Sequence, residues 1–470
     1  MGATQQDFRT LVGKLDELLG VGRNFDIVGR KLTIAGRSAR LWVVNGYAQD
    51  ALLERMISGW LALTDLQDAP DAESFLQRHV SACDASVQRD WDKAVTAVFS
   101  GKTLLVLEGY DGGMLLEAKQ FPLRGVAEPD SSKVLRGAHD GFVENIMKNA
   151  ALLRRRIRSP RLTLERLTVG GRSQADIALC YMEGEADPKL VEEIRRKVQA
   201  IDVRSVSMGQ ESIFEALHPG QWYNPFPKVR YTERPDVATA CIMEGDVLLM
   251  VDNSPAVMIL PTTIFSFTES VNDYYFPPVI GTYLQIVRTV VLLMTLFVTP
   301  LWYLLVKDPE RLHESFRFLL IQDEYFVPLI VQLLLVELIV DLLKLAALNT
   351  PNALSSSFSM LGALILGDFA VQSRWLVPEV LVYMAFVAIA NYAQYSYELA
   401  YASKLCRMGL LICIWLGDIW GFVLGVVGVL VLLATTKPLV GKGYLYPLIP
   451  FNGKDLKALL HRRPISRHNT

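Results

Sequence analysis

The sequence predicts an α/β front half made of two mixed subdomains, followed by an all-α back half that crosses a bilayer four to six times. Three observations carry this reading. Hydrophobic residues make up 51% of the 470 and the mean hydropathy is +0.26, high for a soluble chain, while 20% charged residues is too many for a chain sunk throughout in lipid. The apolar excess is also local: residues 1–275 mix charged and apolar side chains, whereas between 279 and 436 charges thin out and apolar runs pass the ~18 residues that mark a bilayer-spanning helix. Finally, the front half alternates helical and strand periodicities, the mark of sheets covered by helices.

Taken in order, residues 4–19 place Phe8, Leu11, Val12, Leu15, Leu18 and Leu19 on one face of an amphipathic helix, suited to its own domain or to a membrane surface. Strand alternation follows at 25–28, 31–34 and 39–44, with helical periodicity at 51–63 and 90–98. Segments 104–107 and 114–118 flank Tyr110-Asp111-Gly112-Gly113 as a hairpin and close subdomain 1, residues 1–125. The polar run 128–133 reads as a linker. Subdomain 2, residues 126–275, has helices at 142–157 and 188–200 and strands at 162–169, 177–182, 239–243, 247–251 and 256–260. No internal repeat stands out.

The membrane domain, residues 276–436, opens with a span at 279–306, where Trp302 and Tyr303 take interfacial positions. Further spans are expected at 327–348 and 377–392. Between them 358–371 is short and rich in Gly and Ser, suited to a re-entrant or broken helix. Segment 408–434, interrupted at Gly417-Asp418, is one long kinked span or a hairpin of two. The tail, 437–470, holds seven Lys or Arg against Asp455 alone, which places it in the cytosol and leaves it free to touch anionic lipid. The N-terminus has no signal-peptide-type stretch, so the front half is expected in the cytosol too.

A net charge of -2 gives nucleic acid no electrostatic footprint. The cysteines Cys83, Cys180, Cys241, Cys406 and Cys413 form no Cys-x-x-Cys pair, the histidines show no metal-ligand spacing and no phosphate loop precedes a helix, so no cofactor, metal site or enzyme activity is expected. Ionisable residues inside the apolar half are the features that stand out. Glu337, Asp341 and Lys344, spaced by four and three, share one helix face, and charges at membrane depth persist where they meet water, protein or one another. They line an ion path, or they are polar contacts along or between helices. Asp368, Glu379 and Asp418 are further acids near apolar segments. Arg154, Arg155, Arg156 and Arg158 suit acidic lipid, a neighbouring subunit or plain solvent, and Glu233, Arg234 and Asp236, in a segment that reads as a turn with an ion pair, are further candidates for subunit or lipid contact.

These motifs occur in a fixed order: Arg136-Gly137, Phe142-Val143-Glu144, Asn149 with Leu152 to Ile157, Thr232 to Asp236, Glu244-Gly245, Val251 to Pro255, Leu260-Pro261 and Asn272 to Tyr275. Together they resemble the GerA-type A-subunit family of spore germination receptors, over about residues 130–435. Leu345 to Leu354 and Leu366 to Ser373 point to a branch distinct from the nutrient-receptor subunits, which tend to carry an Arg-Glu-Ala pattern near position 343. The resemblance implies a subunit of the spore inner membrane that forms a homo-oligomer, a pentamer, works beside germination receptor subunits or another spore membrane protein, and releases monovalent cations. A scaffold that organises receptors without conducting is the other reading.

Overall fold

The computed structural model describes residues 2–120, 138–218, 220, 223–269, 275–309, 314–321, 324–349, 370–394, 396–441 and 443–453. The chain divides into two compact units, one comprising Met1–Gly220, Val229–Thr262 and Leu439–Gly441, the other Gln221–Lys228, Thr263–Pro438 and Lys442–Thr470. The linker at 128–133, the segment 358–369 and most of the basic tail lie outside the described residues.

In the first unit the chain runs α1 (Gly2–Leu19), β1 (Ile27–Ile34), β2 (Arg37–Val44), α2 (Asp50–Leu61), α3 (Ala72–His79), β3 (Ala85–Gln88), α4 (Trp91–Phe99), β4 (Thr103–Leu107) and β5 (Gly113–Leu116). It continues with α5 (Ile146–Arg156), β6 (Leu162–Val169), β7 (Ala175–Met182), α6 (Pro188–Gln199), α7 (Gln210–Leu217), β8 (Arg230–Thr232), α8 (Pro235–Met243), β9 (Val247–Val251) and β10 (Val257–Leu260). Two five-stranded sheets result, ordered β1-β2-β4-β5-β3 and β6-β7-β9-β10-β8, with every pairing antiparallel. The mixed sheets expected from the alternation of elements are corrected here. Helix α4 does connect the parallel strands β3 and β4, but β5 slots between them, and β10 does the same between β8 and β9. Alternation reveals a crossover without revealing what is inserted into it.

The two sheets repeat one plan. Each follows the order helix, two strands, two helices, strand, helix, two strands, and the segments 91–116 and 235–260 align without a gap. The match pairs Asp92 with Asp236, Ala94 with Ala238, Gly101 with Gly245, Leu104 with Leu248, Leu105 with Leu249, Met114 with Met258 and Leu116 with Leu260. Helices α4 and α8 end alike. Gly101 and Gly245 stand at φ 97° and 98°, and the next residue donates back to the helix, Lys102 N to Ala97 O at 3.0 Å and Asp246 N to Cys241 O at 2.9 Å. Residues 239–243, expected as a strand, are thus the end of α8. Thr239 and Ile242 favour strands by propensity, but Pro235 in the first turn and Gly245 after the last delimit a helix.

Both faces of the first sheet are covered. Trp60 and Phe75 of α2 and α3 pack on Leu32, Ile34 and Leu41, and Leu15, Leu19, Val98 and Phe99 of α1 and α4 pack on Trp42 and Leu104. The apolar stripe of α1 therefore serves its own domain. Val191, Ile194 and Ile213 of α6 and α7 cover the second sheet, with Leu439 and Val440 completing the core. The sheets are joined by a buried ion pair: Arg154, fully enclosed, donates from Nε and Nη2 to Asp26 at 3.0 and 3.1 Å, and its guanidinium lies 5.0 Å from the Phe99 ring.

The second unit holds the apolar helices α9 (Pro278–Lys307), α10 (Leu329–Asn349), α11 (Pro378–Tyr392) and α12 (Tyr397–Thr435). By length and composition α9 and α12 are each able to cross a membrane. Helix α12 reverses at Gly417 and at Asp418, whose φ is 47°. Its two arms pack against each other, with Leu399 and Cys406 beside Val429, Leu432 and Leu433, so the interrupted segment is a hairpin. Glycines make the close approach possible: a side chain at Gly421 would run into the Cys413 carbonyl, and one at Gly425 would sit 2.7 Å from Leu410.

Candidate functional site

Two helices of the second unit carry matching polar stripes. On α10 these are Glu337, Asp341 and Lys344; on the first arm of α12 they are Tyr401, Lys404 and Arg407, each three residues apart. The stripes meet in antiparallel register. Arg407 donates to Glu337 Oε1 from Nε at 2.8 Å and from Nη2 at 2.5 Å, and its Nη1 reaches the Thr295 carbonyl of α9 at 2.8 Å. Lys404 Nζ sits between the two acids, 3.2 Å from Glu337 Oε2 and 2.5 Å from Asp341 Oδ2. Lys344 completes the row with its ammonium over two rings, 4.6 Å from Tyr392 and 5.3 Å from Tyr401. Burial falls along the row. Arg407 is 0% and Glu337 2% exposed, while the Asp341 side chain keeps 33% of its surface.

The three α10 residues therefore have different surroundings although they share a helix face. Glu337 is an interior anchor, satisfied within its own chain by Arg407 and Lys404. Asp341 is half-buried, and its Oδ1 has no hydrogen-bond partner among the described residues. Lys344 has no carboxylate within ion-pairing reach among the described residues. Of the other acids, Asp418 pairs with Lys307 at the hairpin turn, where the same Nζ also caps the carbonyls of Ile414 and Trp415 at 3.1 and 3.2 Å. Glu379 opens α11 and has an Oε2 without a partner among the described residues. Asp368 lies outside the described residues.

In the first unit, the arginine run splits by helix geometry, each residue being turned about 100° from the last. Arg154 points inward onto Asp26, which removes it from any lipid or subunit surface; Arg156 holds Asp140 at 2.6 and 2.8 Å, and Arg155 and Arg158 face outward. Arg234 is likewise interior: it pairs with Asp236 at 2.7 Å and donates to the Ala138 carbonyl at 2.9 Å, so this turn staples its own domain. Glu233 is half-buried, and its carbonyl accepts from Phe142 N at 2.7 Å.

A family model described as Bacillus/Clostridium GerA spore germination protein matches residues 14–470. The chain belongs to the GerA family. Among its relatives, stage V sporulation protein AF of Bacillus subtilis (strain 168) is 37% identical over 445 residues, covering 94% of this chain and 90% of that one. Spore germination protein KA of the same organism is 27% identical over 452 residues, covering 94% and 82%. The crystal structure of the N-terminal domain of the A subunit of the Bacillus megaterium spore germinant receptor GerK3 is similar to 53% of this chain and 92% of its own, at 27% identity and a TM-score of 0.39.

In this GerA chain, sequence reasoning missed Tyr401, Lys404 and Arg407. It opened the last apolar segment at Met408, since charges count against a bilayer span, and so left outside the helix the bases that neutralise Glu337 and Asp341. The signal was present: a Tyr-x-x-Lys-x-x-Arg stripe with three-residue spacing faces an acid stripe of helical spacing.

Proposed function

We propose that this GerA chain is the membrane subunit of a spore germination complex that assembles with copies of itself, five as the resemblance implies, and releases monovalent cations across the spore inner membrane when germination starts. The observation that carries the proposal is the charged row Glu337, Asp341, Lys344, Lys404 and Arg407 among apolar helices. Charges at that depth cost several kcal/mol and persist where they hold a polar path or a structure that needs one. Within the row Asp341 is the acid that keeps open surface, so it is the group able to meet a passing cation, while Glu337 fixes the helices that present it. Helices α9 and α10 and the two arms of α12 would supply four crossings, an even number that leaves the front half and the basic tail on the cytosolic side; α11, with 15 residues, falls short of the span expected at 377–392. No catalysis is assigned. Germination receptor subunits or another spore membrane protein are the expected partners, and membrane lipid the surroundings.

A second reading rests on the burial of Glu337. An acid satisfied by Arg407 in its own chain is what a non-conducting scaffold would also contain. Potassium release from liposomes holding the purified oligomer separates the two: Asp341→Asn should change the flux with assembly intact, whereas a scaffold passes none.

A further inference from the structure

Lys344 differs from the other two bases of the row. Lys404 and Arg407 take both carboxylates, and Lys344 instead lies over the rings of Tyr392 and Tyr401, at 4.6 and 5.3 Å. Two aromatic faces around one ammonium form a cation site, since the ring quadrupole presents negative charge to a cation above it. The pair is built by three elements: Tyr392 ends α11, Tyr401 stands in the first turns of α12, and Lys344 reaches them from α10. It is open outward, with Tyr392 59% and Tyr401 45% exposed. Unsatisfied oxygens belong to the same helices: Asp341 Oδ1 lies one turn before Lys344, and Asn391, 7% exposed, precedes Tyr392 with its Oδ1 unpartnered among the described residues.

We propose that Tyr392 and Tyr401 form a binding site for a primary ammonium ion, which Lys344 fills with its own side chain. Lys344 is then a tethered occupant that a free cation must displace, and the site stands empty when the lysine head is removed. The consequence for conduction rests on the channel reading above; occupancy of the site does not.

Chemical rescue tests the site without any flux. The full chain in lipid nanodiscs is melted in methylammonium chloride and in sodium chloride at equal ionic strength, as wild type, Lys344→Ala and Lys344→Ala with Tyr392→Leu. Lys344→Met serves in place of the alanine variant if the latter does not fold. The lysine variant should melt about 2 °C higher in methylammonium than in sodium. Wild type, whose site is filled, and the double variant, whose site is dismantled, should show no difference. A lysine variant indifferent to the cation overturns the proposal, and so does a difference that survives loss of Tyr392. Flux recorded on the same samples keeps the two claims apart: rescue in a protein that does not conduct retains the site and removes the channel, while conduction without rescue does the reverse.

Discussion

Arg407 has no exposed surface, and its charge is met by Glu337 and by the Thr295 carbonyl. Removing one partner of a buried ion pair leaves the other uncompensated, a cost of about 3–5 kcal/mol. Glu337→Gln is therefore expected to lower the melting temperature sharply and to reduce the yield of folded protein by size-exclusion chromatography, whereas Asp341→Asn, a third exposed, should cost about 1 kcal/mol or less. Equal melting of the two variants would show that the row is not graded in burial as described. In the first unit Asp26→Asn should cost as much as Glu337→Gln, for the same reason. A pH dependence follows from two neutral groups there. Burial raises the Tyr47 phenol, which donates to the Ala151 carbonyl at 3.1 Å, above its ordinary 10.0, and burial raises the Cys180 thiol above 9.0. On the alkaline side the unfolded chain gives up protons that the folded chain retains, so stability falls as pH rises. The denaturant midpoint should be complete below pH 9.0 and decline through 9.0 and 10.0; a midpoint that rises across that window would contradict the assignment.

Glycines decide two elements. The arms of α12 approach so closely that Gly421→Ala should strain the hairpin by about 1–3 kcal/mol, while Gly428→Ala, with open space around it, should be silent; thermal melting of the pair checks this. Gly101 and Gly245 hold equivalent left-handed positions after α4 and α8, so alanine at either should cost about 1–2 kcal/mol from the backbone, and more at Gly245, where the added Cβ would come within 2.9 Å of the Glu185 carbonyl. A Gly245 variant no less stable than the Gly101 variant would contradict this. Much of this was legible in the chain. The strands at 162–169 and 247–251 and the helix at 188–200 carry strong periodicity and appear within a residue of where the sequence places them. The repeat was not legible, because its matches fall mainly on Leu, Ala, Met and Gly positions set by the core and by one turn, and such matches arise readily without common design. Nor was the antiparallel order, since the strand inserted between β3 and β4 comes later in the chain than both. The candidate site was half legible: helical spacing identified the acids, but their bases lay in a segment set aside for being charged.

At the scale of the molecule, a duplicated α/β unit and an apolar helical unit share one chain, and the GerA family relationship covers nearly all of it. A spore germination protein with two apolar helices long enough to cross a membrane, and a graded row of charges among them, has a clear physical question to answer: whether the row carries ions or holds helices. Glu337→Gln is a poor probe, since it disturbs the fold. Asp341→Asn is the better one, because it changes the exposed charge and leaves the Glu337 anchor in place. The most direct measurement is potassium flux from liposomes reconstituted with the wild-type protein and with Asp341→Asn, after both are shown to fold and insert alike. Wild type is expected to release potassium, and the variant to release it at an altered rate or with an altered cation preference. No release from correctly inserted wild-type protein, or release indifferent to Asp341, would contradict the proposed cation path.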